Sequence, residues 1–237
     1  MTNPSLASAA LSQLKALVIA VEKFGMDVLA DTIDDALIAF AARGSVAVYA
    51  AGCQLRRPRV IEAAARRTLE EPFMAGWSTE LSAVTGEQYY RLLDYHRQCS
   101  EAAGKLALSN WKWIDSVANI PLAGPSQECA CTMLVTYNSR LEGSILNSST
   151  TTAKNTYMVY IPGWWWNYMK SAEAALKKTP CSAVITGDEL LGPALTKSID
   201  CNNKSCRTGV REAMASFSQR FAQQVDKVIN EVSTVPS

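Results

Sequence analysis

Apolar residues recur at three- and four-residue intervals near both ends of the chain, and this spacing restricts the fold more than any other feature. Between Leu6 and Phe24 the spaced residues are Leu14, Leu17, Val18, Val21 and Phe24. Residues at these intervals form one stripe on an α-helix, and Gly25 is a typical helix C-cap. Similar spacing predicts a helix over 26–42 that buries Val28, Leu29, Ile33, Leu37 and Phe40, a helix over 45–55 that buries Val48, Tyr49 and Ala51, and a helix over 207–232. We therefore expect a mainly helical protein.

The N-terminal half contains a weak internal repeat. Residues 28–37 align with residues 60–69, and each of these helices follows another that ends in a short turn. The repeat predicts two stacked helical hairpins. Asp34-Asp35 in the first copy correspond to Arg66-Arg67 in the second, and both pairs are expected on solvated helix surface. Chance similarity between two Ala-rich helices is the alternative.

The C-terminal half is rich in cysteine and tryptophan. The β-branched and aromatic runs at 132–137 and 157–161 predict two strands that pair into a small antiparallel sheet. A Ser/Thr-rich stretch from Gly143 to Lys154 is expected to be an exposed loop. Three tryptophans, 164–166, begin a predicted helix that cannot bury all of them on one side, so one must pack elsewhere or lie exposed.

These patterns predict a mainly α fold with stacked helical hairpins in its N-terminal half. A Cys/Trp-rich α+β part follows, with a small antiparallel sheet and a long C-terminal helix. The predicted regions are 1–71, a connecting segment and long helix at 72–110, and 111–237.

The run from Tyr89 to Cys99 contains the only histidine of the chain. His96 and Cys99 lie one turn apart on the predicted helix, and Cys201 and Cys206 bracket a turn before the last helix. Two such pairs have the ligand types of a closed tetrahedral zinc site. We expect a structural zinc ion held by four of five residues, namely His96, Cys99, Cys201, Cys206 and Cys181, the last being the spare ligand.

An alternative interpretation is that these cysteines are ordinary buried thiols, because free cysteine is among the most buried residue types. Cys129 and Cys131 would point to opposite faces if they lay on a strand, so packing is their expected role.

Composition argues against two classes of partner. The net charge of +1 creates no general attraction for nucleic acid or an anionic membrane, and the cluster Arg56-Arg57-Pro58-Arg59 is expected to be a solvated turn. The apolar run 16–21 is too short to span a bilayer. Seven cysteines without a recognisable secretion signal indicate an intracellular protein of the cytoplasm or nucleus.

Catalytic motifs are not evident in the sequence. It contains no nucleophile elbow, phosphate-binding glycine loop or dinucleotide fingerprint. We therefore expect a protein that is not an enzyme. The alternative is a small zinc-dependent or redox-active enzyme that uses His96 and nearby cysteines.

Several segments carry a family resemblance. Residues 17–29 (LVIAVEKFGMDVL) and 46–53 (VAVYAAGC) resemble the C-terminal helices of BTB/POZ domains and the helices that follow them. Residues 89–99 (YYRLLDYHRQC), the WWxxYM pattern at 164–169 and Pro180-Cys181 continue the match, as does a cysteine pair before a long helix. Together they resemble the BTB/POZ-containing proteins of mushroom-forming fungi.

The resemblance implies a non-enzymatic adaptor that contacts an unidentified protein partner, with recruitment to a cullin-type ubiquitin ligase as one such role. A BTB/POZ fold begins with a strand-rich segment that nothing before Leu6 could supply, so we expect a member lacking that module. Its loss would expose the first helix. We expect self-association through the apolar residues of this helix, namely Leu14, Leu17, Val18 and Val21.

Overall fold

The computed structural model describes residues 10–72, 78–109, 111–114, 119–123, 129, 131–138 and 156–232. These residues form a mainly helical protein with one small antiparallel sheet, as the sequence predicts. They divide into two compact units, one reaching Gln98 and including Val232, the other running from Cys99 to Glu231. The boundary falls inside a helix, so the two units do not coincide with the three predicted regions.

The first unit consists of helices joined by short turns. Its helices are α1 (Leu11–Phe24), α2 (Ala30–Phe40), α3 (Ser45–Gln54) and α4 (Pro58–Thr68), and α5 (Gly86–Leu108) begins in this unit and ends in the second. The N-terminus of α5 is capped by Thr85 and Gln88. The Gln88 side chain accepts a hydrogen bond from the Thr85 N–H at 3.0 Å, and the Thr85 hydroxyl accepts one from the Gln88 N–H at 3.2 Å.

The end of α1 follows the prediction, but the next helix does not. Gly25 has a φ of 60° and its N–H donates to the Glu22 carbonyl, which is the expected glycine cap. A 3₁₀ turn, Asp27–Leu29, then delays α2 until Ala30. Val28 is 91% exposed on this turn, so its predicted burial is wrong.

The residues predicted for self-association are mostly buried. Leu14, Val18 and Val21 are buried in the first unit, whereas Leu17 is exposed. The three buried side chains form the stripe that α1 packs inward, so they are not available to a partner.

Close packing of α3 against α4 depends on a glycine. A Cβ added at Gly52 would lie 3.0 Å from Ile61 Cγ1 and 3.2 Å from the Ile61 backbone nitrogen. Any larger residue would therefore push the two helices apart. Val48 and Tyr49, on the same helix, are fully buried as predicted.

Ion pairs join α2 to the start of α4. The Arg57 Nε donates to Asp34 Oδ1 at 2.9 Å, and Arg59 contacts Asp35 at 2.6 Å. Asp34 is only 5% exposed, so the predicted solvation of the acidic pair is wrong for this residue. The hydrogen bond to Asp34 raises the pKa of Arg57. Two arginines of the basic cluster are thus neutralised within the fold.

The second unit contains the sheet and the remaining helices. Strands β1 (Thr132–Asn138) and β2 (Thr156–Pro162) pair antiparallel, with Val135 opposite Val159. The predicted loop from Gly143 to Lys154 lies outside the described residues. The helices are α6 (Gly163–Lys178), α7 (Ser182–Thr186), α8 (Asp188–Ile199), α9 (Lys204–Thr208) and α10 (Val210–Glu231). The predicted last helix is thus divided at Gly209.

Aromatic side chains form the core of the second unit. Trp165 on α6 meets Trp111 and Phe217 edge to face, with ring centroids 5.4 and 5.5 Å apart. Trp113 stacks on Phe221 of α10 at 4.9 Å. Trp166 is only partly buried, which agrees with the expectation that the three tryptophans cannot all face inward. These contacts join α6 and α10 to the segment after α5.

In the part of the chain that the structure describes, none of the helices has the length and apolar character needed to cross a membrane.

Two glycine-to-alanine substitutions should have opposite effects on stability. Gly52→Ala should lower the free energy of unfolding by about 1–3 kcal/mol, because its methyl group collides with Ile61. Gly86→Ala in the first turn of α5 meets nothing within 4 Å, so the lower entropy of the unfolded chain should raise stability by about 0.4–1 kcal/mol. Urea denaturation of both variants measures the difference. A stabilising Gly52→Ala would contradict the packing.

Candidate metal centre

Four cysteine side chains meet in the second unit. Cys129 and Cys131 precede β1, Cys201 follows α8, and Cys206 lies on α9. All four sulfur atoms lie within 4.8 Å of one another. The Sγ of Cys129 is 3.0 Å from that of Cys131 and 2.8 Å from that of Cys201, and the Cys131 and Cys206 sulfurs are 3.5 Å apart. We call this group the four-cysteine centre.

Local hydrogen bonds turn the first pair of cysteines toward each other. The Thr132 hydroxyl and the Thr132 N–H both donate to the Cys129 carbonyl, at 2.7 and 3.1 Å. The Gly163 N–H at the start of α6 donates to the Cys131 carbonyl at 2.9 Å. A Cβ at Gly163 would approach that carbonyl oxygen to 3.2 Å, so a small residue favours this contact. The segment before β1 is thus held by both β1 and α6.

The second pair is placed by the turn between α8 and α9. The Cys201 N–H donates to the Ser198 carbonyl at 3.2 Å, which continues α8 by a final turn. Ser198 is fully buried, so this end of α8 is held inside the unit. Cys206 is buried on the short helix α9.

Backbone amides face the first sulfur of each pair. The Cys131 N–H donates to Cys129 Sγ at 3.4 Å, and the Asn203 N–H donates to Cys201 Sγ at 3.5 Å. Amide hydrogen bonds stabilise negative charge on sulfur. A cysteine that binds a metal carries this charge, because it binds as a thiolate. Each pair therefore has a backbone N–H directed at one of its sulfur atoms.

The thiols of the centre influence one another's ionisation. Burial opposes ionisation of Cys129, but hydrogen bonds from Cys131, Cys201 and Cys206 together lower its pKa to about 7. Burial raises the pKa of Cys131, and hydrogen bonding to Cys129 raises it further. Burial likewise raises the pKa of Cys206 to about 12. One shared negative charge is therefore favoured over several, and a cation would be needed to balance four thiolates.

The donor set and its dimensions suit a metal ion. Zinc binds thiolate at about 2.3 Å, which in a tetrahedron separates neighbouring sulfurs by about 3.8 Å. The three close sulfur pairs, at 2.8, 3.0 and 3.5 Å, are closer together than this tetrahedral separation, by about 1 Å at most. An ion would need only small outward movements of the side chains. The four cysteines could therefore hold a metal.

The sequence identified half of this centre. Cys201 and Cys206 were among the predicted ligands and belong to it. The expected packing role of Cys129 and Cys131 depends on their lying on a strand, and this condition does not hold because β1 begins at Thr132. A Cys-x-Cys pair directly before a predicted strand is the signal that would have indicated a turn instead.

The other predicted ligands lie outside the four-cysteine centre. His96 and Cys99 are buried on α5, and Cys181 is partly buried just before α7. Burial lowers the pKa of His96, while a backbone hydrogen bond at Glu71 acts in the opposite direction. His96 is therefore a neutral, buried imidazole at physiological pH.

The second unit also has a groove of about 430 Å³. Its ionisable lining residues are Lys112, Lys227 and Glu231, and Trp113 forms part of its wall.

The stability of the protein should fall as the pH drops below about 6.5 because of His96. The folded state keeps this imidazole neutral, whereas the unfolded chain has the ordinary value of 6.5 and takes up a proton. The free energy of unfolding therefore decreases as the pH falls from 6.5 to the lowered pKa of the folded state. Urea midpoints of the wild type and His96→Gln, measured from pH 7.5 to 5, should show a shallower decline for the variant. Equal declines would contradict this account.

Comparison of the chain with protein-family models, with curated proteins and with solved structures found no match.

Proposed function

We propose that this chain is an adaptor of the BTB/POZ type, which binds another protein and is not an enzyme. We also propose that a structural zinc ion stabilises its second unit. The observation that carries the interaction role is an apolar surface on the first unit. The four-cysteine centre carries the zinc assignment. The BTB/POZ assignment rests on the sequence resemblance alone.

The exposed apolar residues lie between the middle of α1 and the end of the turn that follows it. They are Leu17, Ile19, Phe24, Met26, Val28 and Leu29. We call them together the 17–29 surface. Phe24 is 68% exposed, and the Lys23 ammonium lies 5.8 Å from the centre of its ring. Exposed apolar side chains concentrated in one short segment are typical of a protein-binding surface.

Nucleic acid is a poor partner for the first unit. Arg57 and Arg59, two of the three arginines of the basic cluster, are paired with Asp34 and Asp35. Binding to phosphate would require these ion pairs to break, and the net charge of the chain is only +1. A protein partner with its own apolar surface fits better.

A structural zinc ion suits the four-cysteine centre better than a catalytic one. Four protein ligands complete a tetrahedral shell and leave no position for a substrate or an activated water. The ion would join the start of β1 to the turn between α8 and α9, so its binding energy would add to the folding energy of this unit. A zinc-dependent enzyme that uses His96 is less well supported, because His96 is not part of the centre.

A reducing compartment, the cytoplasm or nucleus, fits this proposal. None of the seven cysteines, all of which lie in the described part of the chain, forms a disulfide. Thiolate ligands stay available for zinc in such a compartment, since disulfides are rare there.

The purified full-length chain should contain one zinc ion per molecule. Cys201→Ser and Cys129→Ser should each lose it and unfold at a lower temperature, because a tetrahedral site with three thiolates binds zinc more weakly. Elemental analysis and thermal denaturation measure these changes. Cys181→Ser is the matched control, since Cys181 is partly buried but lies outside the centre. Loss of zinc from Cys181→Ser and not from Cys129→Ser would overturn the ligand assignment.

Removing apolar area from the 17–29 surface should abolish partner binding without lowering stability. Phe24→Ser with Val28→Ser changes two exposed side chains, so the fold should tolerate it. Quantitative affinity capture from the native organism tests for other proteins, and sedimentation velocity tests for a second copy. Ile199→Ser, at a residue 55% exposed on the second unit, is the control. The proposal fails if the double variant and Ile199→Ser retain the same partners and the same sedimentation.

A further inference from the structure

We propose that the four-cysteine centre is also a site of reversible thiol oxidation, in which a peroxide converts Cys129 and Cys201 into a disulfide. The disulfide requires only the arrangement of the thiols. The accompanying release of zinc rests on the zinc site proposed above. Oxidation would thus replace a link through zinc between two chain segments with a link through the disulfide.

Distance selects this pair among the four cysteines. The Cys129 and Cys201 sulfurs are 2.8 Å apart, the shortest of the three close contacts. A disulfide bond is about 2.05 Å long, so the two atoms need to approach by less than 1 Å. The Cys131 and Cys206 sulfurs, at 3.5 Å, have further to move.

Position in the chain also distinguishes the pair. Cys129 and Cys131 are separated by one residue, so a bond between them would join nothing beyond their own segment. Cys129 and Cys201 are 72 residues apart and belong to the segments before β1 and after α8. Their disulfide would keep these two segments together after the metal has left.

Exposure gives the oxidant a point of entry. Cys129 and Cys206 are buried, whereas Cys131 and Cys201 are partly exposed. Cys201 is therefore the member of the closest pair that peroxide can reach. Cys129 lies behind it, in contact and shielded from solvent, as a resolving thiol should.

The chemistry balances with one peroxide molecule. The Cys201 sulfur attacks one peroxide oxygen, the O–O bond breaks, and a sulfenic acid and one water form. The Cys129 sulfur then attacks the Cys201 sulfur, the S–O bond breaks, and the second water leaves. The two sulfurs lose two electrons, and hydrogen peroxide gains them together with two protons. These protons come from the thiols in the metal-free chain, and from solvent where zinc holds the sulfurs as thiolates. A bound zinc ion would keep its charge and be released, because disulfide sulfur is a poor ligand.

The test is peptide mapping after oxidation of the full-length, zinc-loaded chain with hydrogen peroxide. Remaining thiols are alkylated under denaturing conditions, and trypsin cleaves the product. Cleavage at Lys197, Lys204 and Arg207 places Cys201 and Cys206 on separate peptides, 198–204 and 205–207. Cys129 and Cys131 share the peptide 113–140 and are distinguished by fragmentation.

The expected product is a cross-link between peptides 113–140 and 198–204 through Cys129, formed with release of one zinc ion and reversed by dithiothreitol. Cys53, buried in the first unit, is the internal reference and should still be alkylated. A cross-link that joins 113–140 only to 205–207, or oxidation of Cys201 to sulfinic acid without a cross-link, would overturn the proposal.

A variant separates this proposal from the zinc assignment. Cys206→Ser removes one metal ligand but leaves the Cys129–Cys201 pair intact, so it should lose zinc and still form the cross-link. Cys129→Ser should form no cross-link. If the wild-type chain binds no zinc but forms the cross-link, the structural zinc is wrong and the oxidation site stands. If zinc binds and no cross-link forms under peroxide, the opposite holds.

Discussion

The second unit depends on the contact between the segment before β1 and the turn after α8, where four sulfur atoms meet. A two-stranded sheet is at best marginally stable by itself, so β1 and β2 need other elements to hold them. The Gly163 N–H attaches the first residue of α6 to Cys131, and the sulfurs attach Cys129 and Cys131 to α8 and α9. The sheet is therefore held at the end where both of these attachments lie.

The aromatic core provides the other constraint on this unit. Trp165 follows the sheet directly on α6 and packs between Trp111 and Phe217. Phe217 lies on α10, so α6, α10 and the segment after α5 share one set of contacts. Burial of large aromatic side chains supplies much of the stability of such a core. The four-cysteine centre would add to it by joining the segment before β1 to the turn after α8.

Much of the fold followed from local patterns. The Gly25 cap, the two strands and the start of α6 all lie where the sequence placed them, because each depends on residues close together in the chain. The burial of Val28 and the solvation of Asp34 were predicted wrongly. Val28 lies on a 3₁₀ turn rather than a helix, and Asp34 is paired with Arg57, which is 23 residues away. Neither outcome is contained in the local spacing.

The sequence by itself determined the helices, the strand pair and the number of cysteines, because backbone preferences and hydrophobic periodicity act over a few residues. The tertiary structure decided which cysteines come together. Cys129 and Cys201 are 72 residues apart, and their contact arises from the packing of a sheet and several helices. His96 and Cys99 matched a ligand pattern on one helix, but both lie outside the centre. Spacing limits only ligands on one element, whereas distant ligands are placed by the fold.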